Sequence, residues 1–144
     1  MERIDFYLHN LQSLMVSNHR LLAVDDDEDS LLLLAQTLAR PDRSLATAQN
    51  GKTALRLAQT WQPSMILLDI VLPDLSGFDV VQQLKQNAAT ANIPIIAVTA
   101  LARADDRQKL LQAGCHECVS KPYLLEDLEL AVDRCLDLST LACA

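Results

Sequence analysis

Five short apolar runs, each broken at its end by a polar residue and each followed by a segment of helical period, constrain this chain more than any other feature. The clearest covers residues 65–68, where Met65, Ile66, Leu67 and Leu68 run without interruption and stop at Asp69. A run with no polar alternation is what a strand buried on both faces requires, because neither face meets water. An ionised carboxylate directly after it is costly unless it is solvated, paired or put to use. Pro73, Asp74, Ser76 and Gly77 supply turn chemistry, so Asp69 sits where a strand opens into a loop. In open α/β sheets that is where ligands bind.

The same pattern holds from Leu21 onward. Residues 21–24 form a first apolar strand ending in Asp25, Asp26 and Asp27, with Asp29 or Ser30 as cap of a helix through Leu31, Leu34, Ala35 and Leu38 that stops at Pro41. Residues 44–48 read as a weaker second strand, and Asn50-Gly51 as the turn into a helix over 52–59, before Trp61-Gln62-Pro63. After the third strand, Phe78, Val81 and Leu84 share one face of a helix over 78–86. Residues 95–98 make a fourth strand that ends at Thr99. The helix over 104–113 turns Leu110 and Leu111 inward and closes at Gly114. A short fifth strand, 117–120, ends in Lys121-Pro122, and Leu125, Leu128, Val132, Cys135 and Leu136 keep helical spacing through 124–138. Alternating strands and helices predict a parallel sheet covered on both faces, a doubly wound three-layer α/β sandwich, for which the economical strand order is 2-1-3-4-5.

Half of the 144 residues are hydrophobic, enough for one core without a metal or disulfide staple. Twelve basic against nineteen acidic residues give a net charge of −7 with no Lys/Arg run, which argues against direct nucleic-acid or anionic-membrane binding. No stretch has transmembrane length, and the N-terminus has an acid at Glu2 and no uninterrupted apolar core of a signal peptide, so a cytoplasmic location is expected. The glycines, Gly51, Gly77 and Gly114, form neither a dinucleotide fingerprint nor a phosphate loop. Cys115, Cys118, Cys135 and Cys143 fit a reducing compartment. Cys115 and Cys118 have C-x-x-C spacing, but no second pair stands at zinc spacing and Val119 occupies the haem-attachment His position; ordinary thiols are favoured over redox or metal chemistry. Within residues 1–19, Ile4, Leu8, Leu11, Leu14 and Met15 fit an amphipathic helix, which either lies on the domain or meets a partner or a second copy.

The expected strand order delivers the last residues of strands 1, 3, 4 and 5 to one edge: Asp25 and Asp26, Asp69, Thr99 and Lys121. Three neighbouring carboxylates repel by roughly 1 to 4 kcal/mol per pair unless a hard cation and an ammonium sit among them. Mg2+ suits an all-oxygen set, keeps waters, and binds through one or two carboxylates plus phosphate oxygens. The chemistry that follows is attack of Asp69 on a phosphoryl group to give an aspartyl phosphate, with Lys121 and the Thr99 hydroxyl on the other phosphoryl oxygens.

The segments VDDDED, LLDIVLPDLSG, VTA and SKP, in this order and spacing, resemble the CheY-like receiver domain of bacterial two-component response regulators. The resemblance covers about residues 20–138, leaving 1–19 as an N-terminal extension and 139–144 as a C-terminal tail. It implies a (βα)5 flavodoxin-like fold in which Asp69 accepts a phosphoryl group from a sensor histidine kinase or a histidine phosphotransfer protein. It further implies that Asp26 binds Mg2+ directly, that Asp25 acts mainly through water, and that the Val71 backbone carbonyl completes the protein's share of the metal shell. Thr99, followed by Ala100, matches the switch hydroxyl, Lys121 the phosphate-binding lysine, and Lys121-Pro122 a cis peptide bond. One position departs from the family: Cys118 stands where an aromatic side chain usually moves inward with the hydroxyl. Val71 and Leu101 flank the acceptor as apolar side chains expected to limit hydrolytic water and lengthen the phosphoryl lifetime.

No effector domain follows the last helix, so the expected output of this stand-alone chain is protein contact: docking on a downstream target, onward relay of the phosphoryl group, or a homodimer. A different class of reading is a Mg2+-dependent phosphohydrolase working through an aspartyl phosphate. Enzymes of the haloacid dehalogenase type need a second Asp two residues after the nucleophile, and Val71 occupies that position. A binding module with this fold that is never phosphorylated is the third reading, weakened by the intact acceptor, metal and lysine positions.

Overall fold

The computed structural model describes residues 18–100 and 103–143, with side chains up to 137. The proposed N-terminal helix, Leu101 and the Cys143 side chain lie outside the described residues. Five strands, β1 (His19–Val24), β2 (Arg43–Ala48), β3 (Met65–Asp69), β4 (Ile95–Thr99) and β5 (Glu117–Ser120), alternate with α1 (Glu28–Leu38), α2 (Gly51–Trp61), α3 (Gly77–Gln86), α4 (Ala104–Ala113) and α5 (Leu125–Cys143). The sheet is parallel throughout in the order β2-β1-β3-β4-β5, the doubly wound flavodoxin-like arrangement.

Side chains that alternate along each strand divide the core in two. Leu22, Val24, Ile66, Leu68, Ile95 and Ala97 face α2, α3 and α4, while Leu21, Ala23, Met65, Leu67, Ile96 and Val98 face α1 and α5. Every residue of β3 and β4 is buried, as their unbroken apolar runs require. At the rim, β5 is only half-buried along its length.

Several boundaries differ from the sequence reading, each for a tertiary reason. Strand β1 starts at His19, which pairs with Arg43 of β2, and beside it the Arg20 N–H donates to Ser64 Oγ at 3.0 Å while the Arg20 side chain donates to the Trp61 carbonyl and lies over the Trp61 ring. Strand β2 starts at Arg43, whose guanidinium is buried against Asp133 of α5. The cap of α1 is Asp27, not Asp29 or Ser30: its carboxylate accepts the Asp29 N–H at 3.1 Å and the Ser30 hydroxyl at 3.0 Å. Leu111 is exposed, so only Leu110 anchors α4. Helix α5 continues past Leu138 to Cys143, into the stretch expected to be a tail. Asn50 caps α2, and Gly114 closes α4 at φ 122°, a backbone conformation L side chains rarely adopt.

Candidate functional site

Strand register sets the site. The last paired residues of β1 and β3 are Val24 and Leu68, so one further step in the same register aligns Asp25 with Asp69. Thr99 pairs with Ser120, and the Lys121 N–H donates to the Thr99 carbonyl at 2.8 Å. Lys121 is therefore carried to the same edge. Its ammonium lies 3.1 Å from Asp69 Oδ2 and 3.3 Å from Asp25 Oδ2. Asp25 and Asp69 are buried, at 5 % and 7 % exposure, whereas Asp26 faces solvent. Thr99 is buried at the end of β4, and the Lys121-Pro122 bond is cis.

Local hydrogen bonds aim the carboxylates. Asp25 Oδ1 accepts the Asp27 N–H at 3.0 Å, and Asp69 Oδ1 accepts the Val71 N–H at 3.1 Å, so each carboxylate is fixed by the loop that leaves its own strand. The loop after β3 closes tightly through the Gly77 N–H, which donates to the Ile70 carbonyl at 2.8 Å. A Cβ at position 77 would lie 2.4 Å from the Ile70 Cα, so only glycine permits this closure.

Burial pushes the Asp69 pKa above the usual carboxylate value, and the Asp25 charge adds to it, against the opposing pull of the Val71 N–H and Lys121. For Lys121, burial favours the neutral amine, but the hydrogen bonds and charges of Asp69 and Asp25 together prevail and hold its pKa above the ordinary lysine value. The ammonium is thus secure, and it pairs with two of the three carboxylates, Asp25 and Asp69. Oxygens of Asp25, Asp26 and Asp69 lie within 4.8 Å of one another. A hard, all-oxygen donor set of that span, short of positive charge, fits a single Mg2+.

The structure brings together Asp25, Asp26, Asp69, Thr99 and Lys121. Val71 lies on the same loop, with its side chain exposed. Cys118 is half-buried on β5, where its thiol faces the Arg107 carbonyl of α4 at 3.9 Å. Burial pushes the Cys115 thiol up to about 12 and raises that of Cys118, so neither is a ready thiolate. Among the described residues, no cysteine belongs to a cluster suited to a metal.

Three roles escaped the sequence reading, those of Asp27, Asp74 and Tyr123. Asp27 acts as cap and orienter of Asp25. Asp74 reaches the first turn of α2. Tyr123 sits near Lys121, Asp25 and Asp69; burial raises its pKa, with the lysine opposing and both carboxylates adding. The Lys-Pro-aromatic order was a visible signal for Tyr123, whereas nothing local to Asp74 tells which helix it meets.

Residues 21–133 match the family model of the response regulator receiver domain. The polar-differentiation response regulator DivK of Brucella anthropi is 37 % identical over 101 residues, 70 % of this chain and 82 % of that protein. The response regulator PleD of Caulobacter vibrioides is 38 % identical over 103 residues, 72 % of this chain but 23 % of that protein; a probable cyclic di-GMP phosphodiesterase of Vibrio cholerae is likewise matched over only 26 % of its length. Among solved structures, a CheY-like receiver domain from Methanospirillum hungatei superposes with TM-score 0.80 at 25 % identity, covering 88 % of this chain and 99 % of that one. The receiver domain of a Pseudomonas aeruginosa sensor histidine kinase, with a magnesium ion coordinated in its active-site cleft, superposes with TM-score 0.75 at 26 % identity over 84 % and 99 % of the two chains.

Proposed function

The chain belongs to the response regulator receiver domain family, and on that footing we propose that it accepts a phosphoryl group on Asp69 from a histidine kinase or a histidine phosphotransfer protein. One observation carries this reading: a lysine ammonium bridges two buried aspartates at adjacent strand ends, 3.1 and 3.3 Å away. An Asp69 oxygen attacks the phosphorus of a phosphohistidine, a P–O bond forms, the P–N bond breaks, and the imidazole leaves with the electron pair. Lys121 draws the developing negative charge off the phosphoryl oxygens and the Thr99 hydroxyl takes another of them. Asp25, Asp26, Asp69 and the Val71 carbonyl would hold Mg2+, which when bound would supply positive charge to the phosphoryl group. Its role is cytoplasmic signal transduction, a phosphoacceptor rather than a turnover enzyme.

The output is protein contact or onward relay. A groove of about 410 Å3 between α4, β5 and α5 supports that reading, lined by Arg107, Cys118, Tyr123, Leu124, Leu130 and Arg134. Leu124 and Leu130, in that lining, are 68 % and 55 % exposed.

Acetyl phosphate with Mg2+ is expected to label the wild type once per chain, with label lost in Asp69→Asn and in chelator. Label that survives Asp69→Asn unchanged removes the acceptor assignment. Continuous turnover of a generic phosphate ester points instead to a phosphohydrolase.

A further inference from the structure

Resting on the Mg2+-dependent reading above, we propose that Asp74 is a positioning residue: by gripping the first turn of α2 it holds the β3–α3 loop, and with it the Val71 carbonyl, in register with Asp25 and Asp69. The loop is tied at its two ends, where the Val71 N–H meets Asp69 and the Gly77 N–H meets the Ile70 carbonyl. Its middle reaches outward to Asp74, and there the tie runs to another element. Asp74 Oδ1 accepts the Gly51 N–H at 2.7 Å and the Leu75 N–H at 2.8 Å, while Oδ2 accepts the Lys52 N–H at 3.0 Å.

Of those donors, Gly51 and Lys52 are free N–H groups of a helix start, where a carboxylate binds best, and Leu75 belongs to the loop itself. Asn50 already takes the Thr53 N–H at 2.8 Å, so the helix's own cap and a carboxylate from a separate loop divide the first turn between them. The Gly51 N–H is the main cause that holds the Asp74 carboxyl below its usual range, so the grip persists at neutral pH. Position 51 also lies close against the loop. A Cβ there would lie 3.0 Å from the Leu75 Cβ and from Val80 Cγ2, a contact tighter than most, so the loop packs closely on the helix start. Asp74 is itself exposed, so these bonds are not there to satisfy a buried charge.

The measurement is Mg2+ affinity by isothermal titration calorimetry on the full chain, at a temperature where urea denaturation shows each variant folded. Asp74→Ala is expected to weaken Mg2+ binding by about tenfold, the scale on which groups that orient metal ligands act. Asp74→Asn loses the charge but keeps an acceptor for Gly51 and Leu75, and is expected to stay within about threefold of wild type. A change in stability alone, with affinity unchanged in Asp74→Ala, overturns the inference and leaves Asp74 a structural tie. An equal fall in both variants overturns it too, because charge and not anchoring is then at work. A wild type that takes up no Mg2+ while Asp25→Asn is equally silent strikes the metal site itself, a different failure.

Discussion

Helices α3 and α4 are both ten residues long and lie against the same side of the sheet, yet they are held very differently. Helix α3 buries Gly77, Val80, Val81 and Leu84, and Ser76 caps it by accepting the Phe78 N–H. Helix α4 buries only Leu110, and Arg103 offers its N-terminus no side-chain cap. The contrast extends to the strands beside them. All of β3 is buried, whereas β5 is half-exposed and carries Cys118, a small thiol, against the Arg107 carbonyl. The acidic side of the site is therefore fixed by packing, capping and loop closure, and the α4–β5 side is joined to it mainly through Thr99 and Lys121. Elements with few buried apolar contacts open at low free energy and serve as the moving part of a switch.

Hydrogen exchange puts this contrast to its hardest test. Amides of α4 in the unphosphorylated protein are expected to exchange at least about 100-fold faster than those of β3, a difference of a few kcal/mol in local opening. Beryllofluoride with Mg2+ is then expected to shift amides from 103 to 121 most. Slow exchange in α4, or unchanged amides there on activation, would mean that the loosely packed helix is not the responding element.

A smaller effect is expected from the acidic side. Asp25→Asn should weaken Mg2+ binding by at least about tenfold, since even residues behind metal ligands cost that much. It should leave α4 exchange in the metal-free protein nearly unchanged, because Asp25 touches Lys121 and its own loop rather than α4. If exchange in α4 rises along with the loss of metal, the two sides are more tightly joined than their packing implies.

Strand order and the residues at the strand ends were legible in the sequence because both follow from short-range signals. Runs such as Met65 to Leu68 fix burial on both faces, and parallel winding sends every strand end to one edge. What was not legible depends on partners far along the chain. Arg43 looks like a surface residue, but it is buried against Asp133, ninety positions away. Asp74 reads as turn chemistry, and its partners Gly51 and Lys52 lie on another β-α unit. Leu111 satisfies the helical period of α4 yet faces solvent, since a helix that contributes one anchor to the core has no defined apolar stripe to extend.

The smallest effect concerns the cost of Asp69 itself. Burial raises its folded-state pKa above the unfolded value of 3.8, so the native state binds the proton more tightly than the unfolded chain does. Stability from this group is accordingly greatest at acid pH. It declines as pH rises from the unfolded value through the raised folded one, and above that the full cost is present. Asp69→Asn removes the charge, so without divalent cation at pH 7 it is expected to be more stable than wild type by on the order of 1 kcal/mol, about 3 °C in Tm. Below the unfolded pKa the advantage should vanish, and Mg2+ should also narrow it by stabilising the wild type through binding. A variant no more stable than wild type at pH 7 in chelator would show that Lys121 and the Val71 N–H already meet the whole cost of the carboxylate. The acidic side would then be rigid without being strained, and the need for a cation would rest on Asp25 and Asp26 alone.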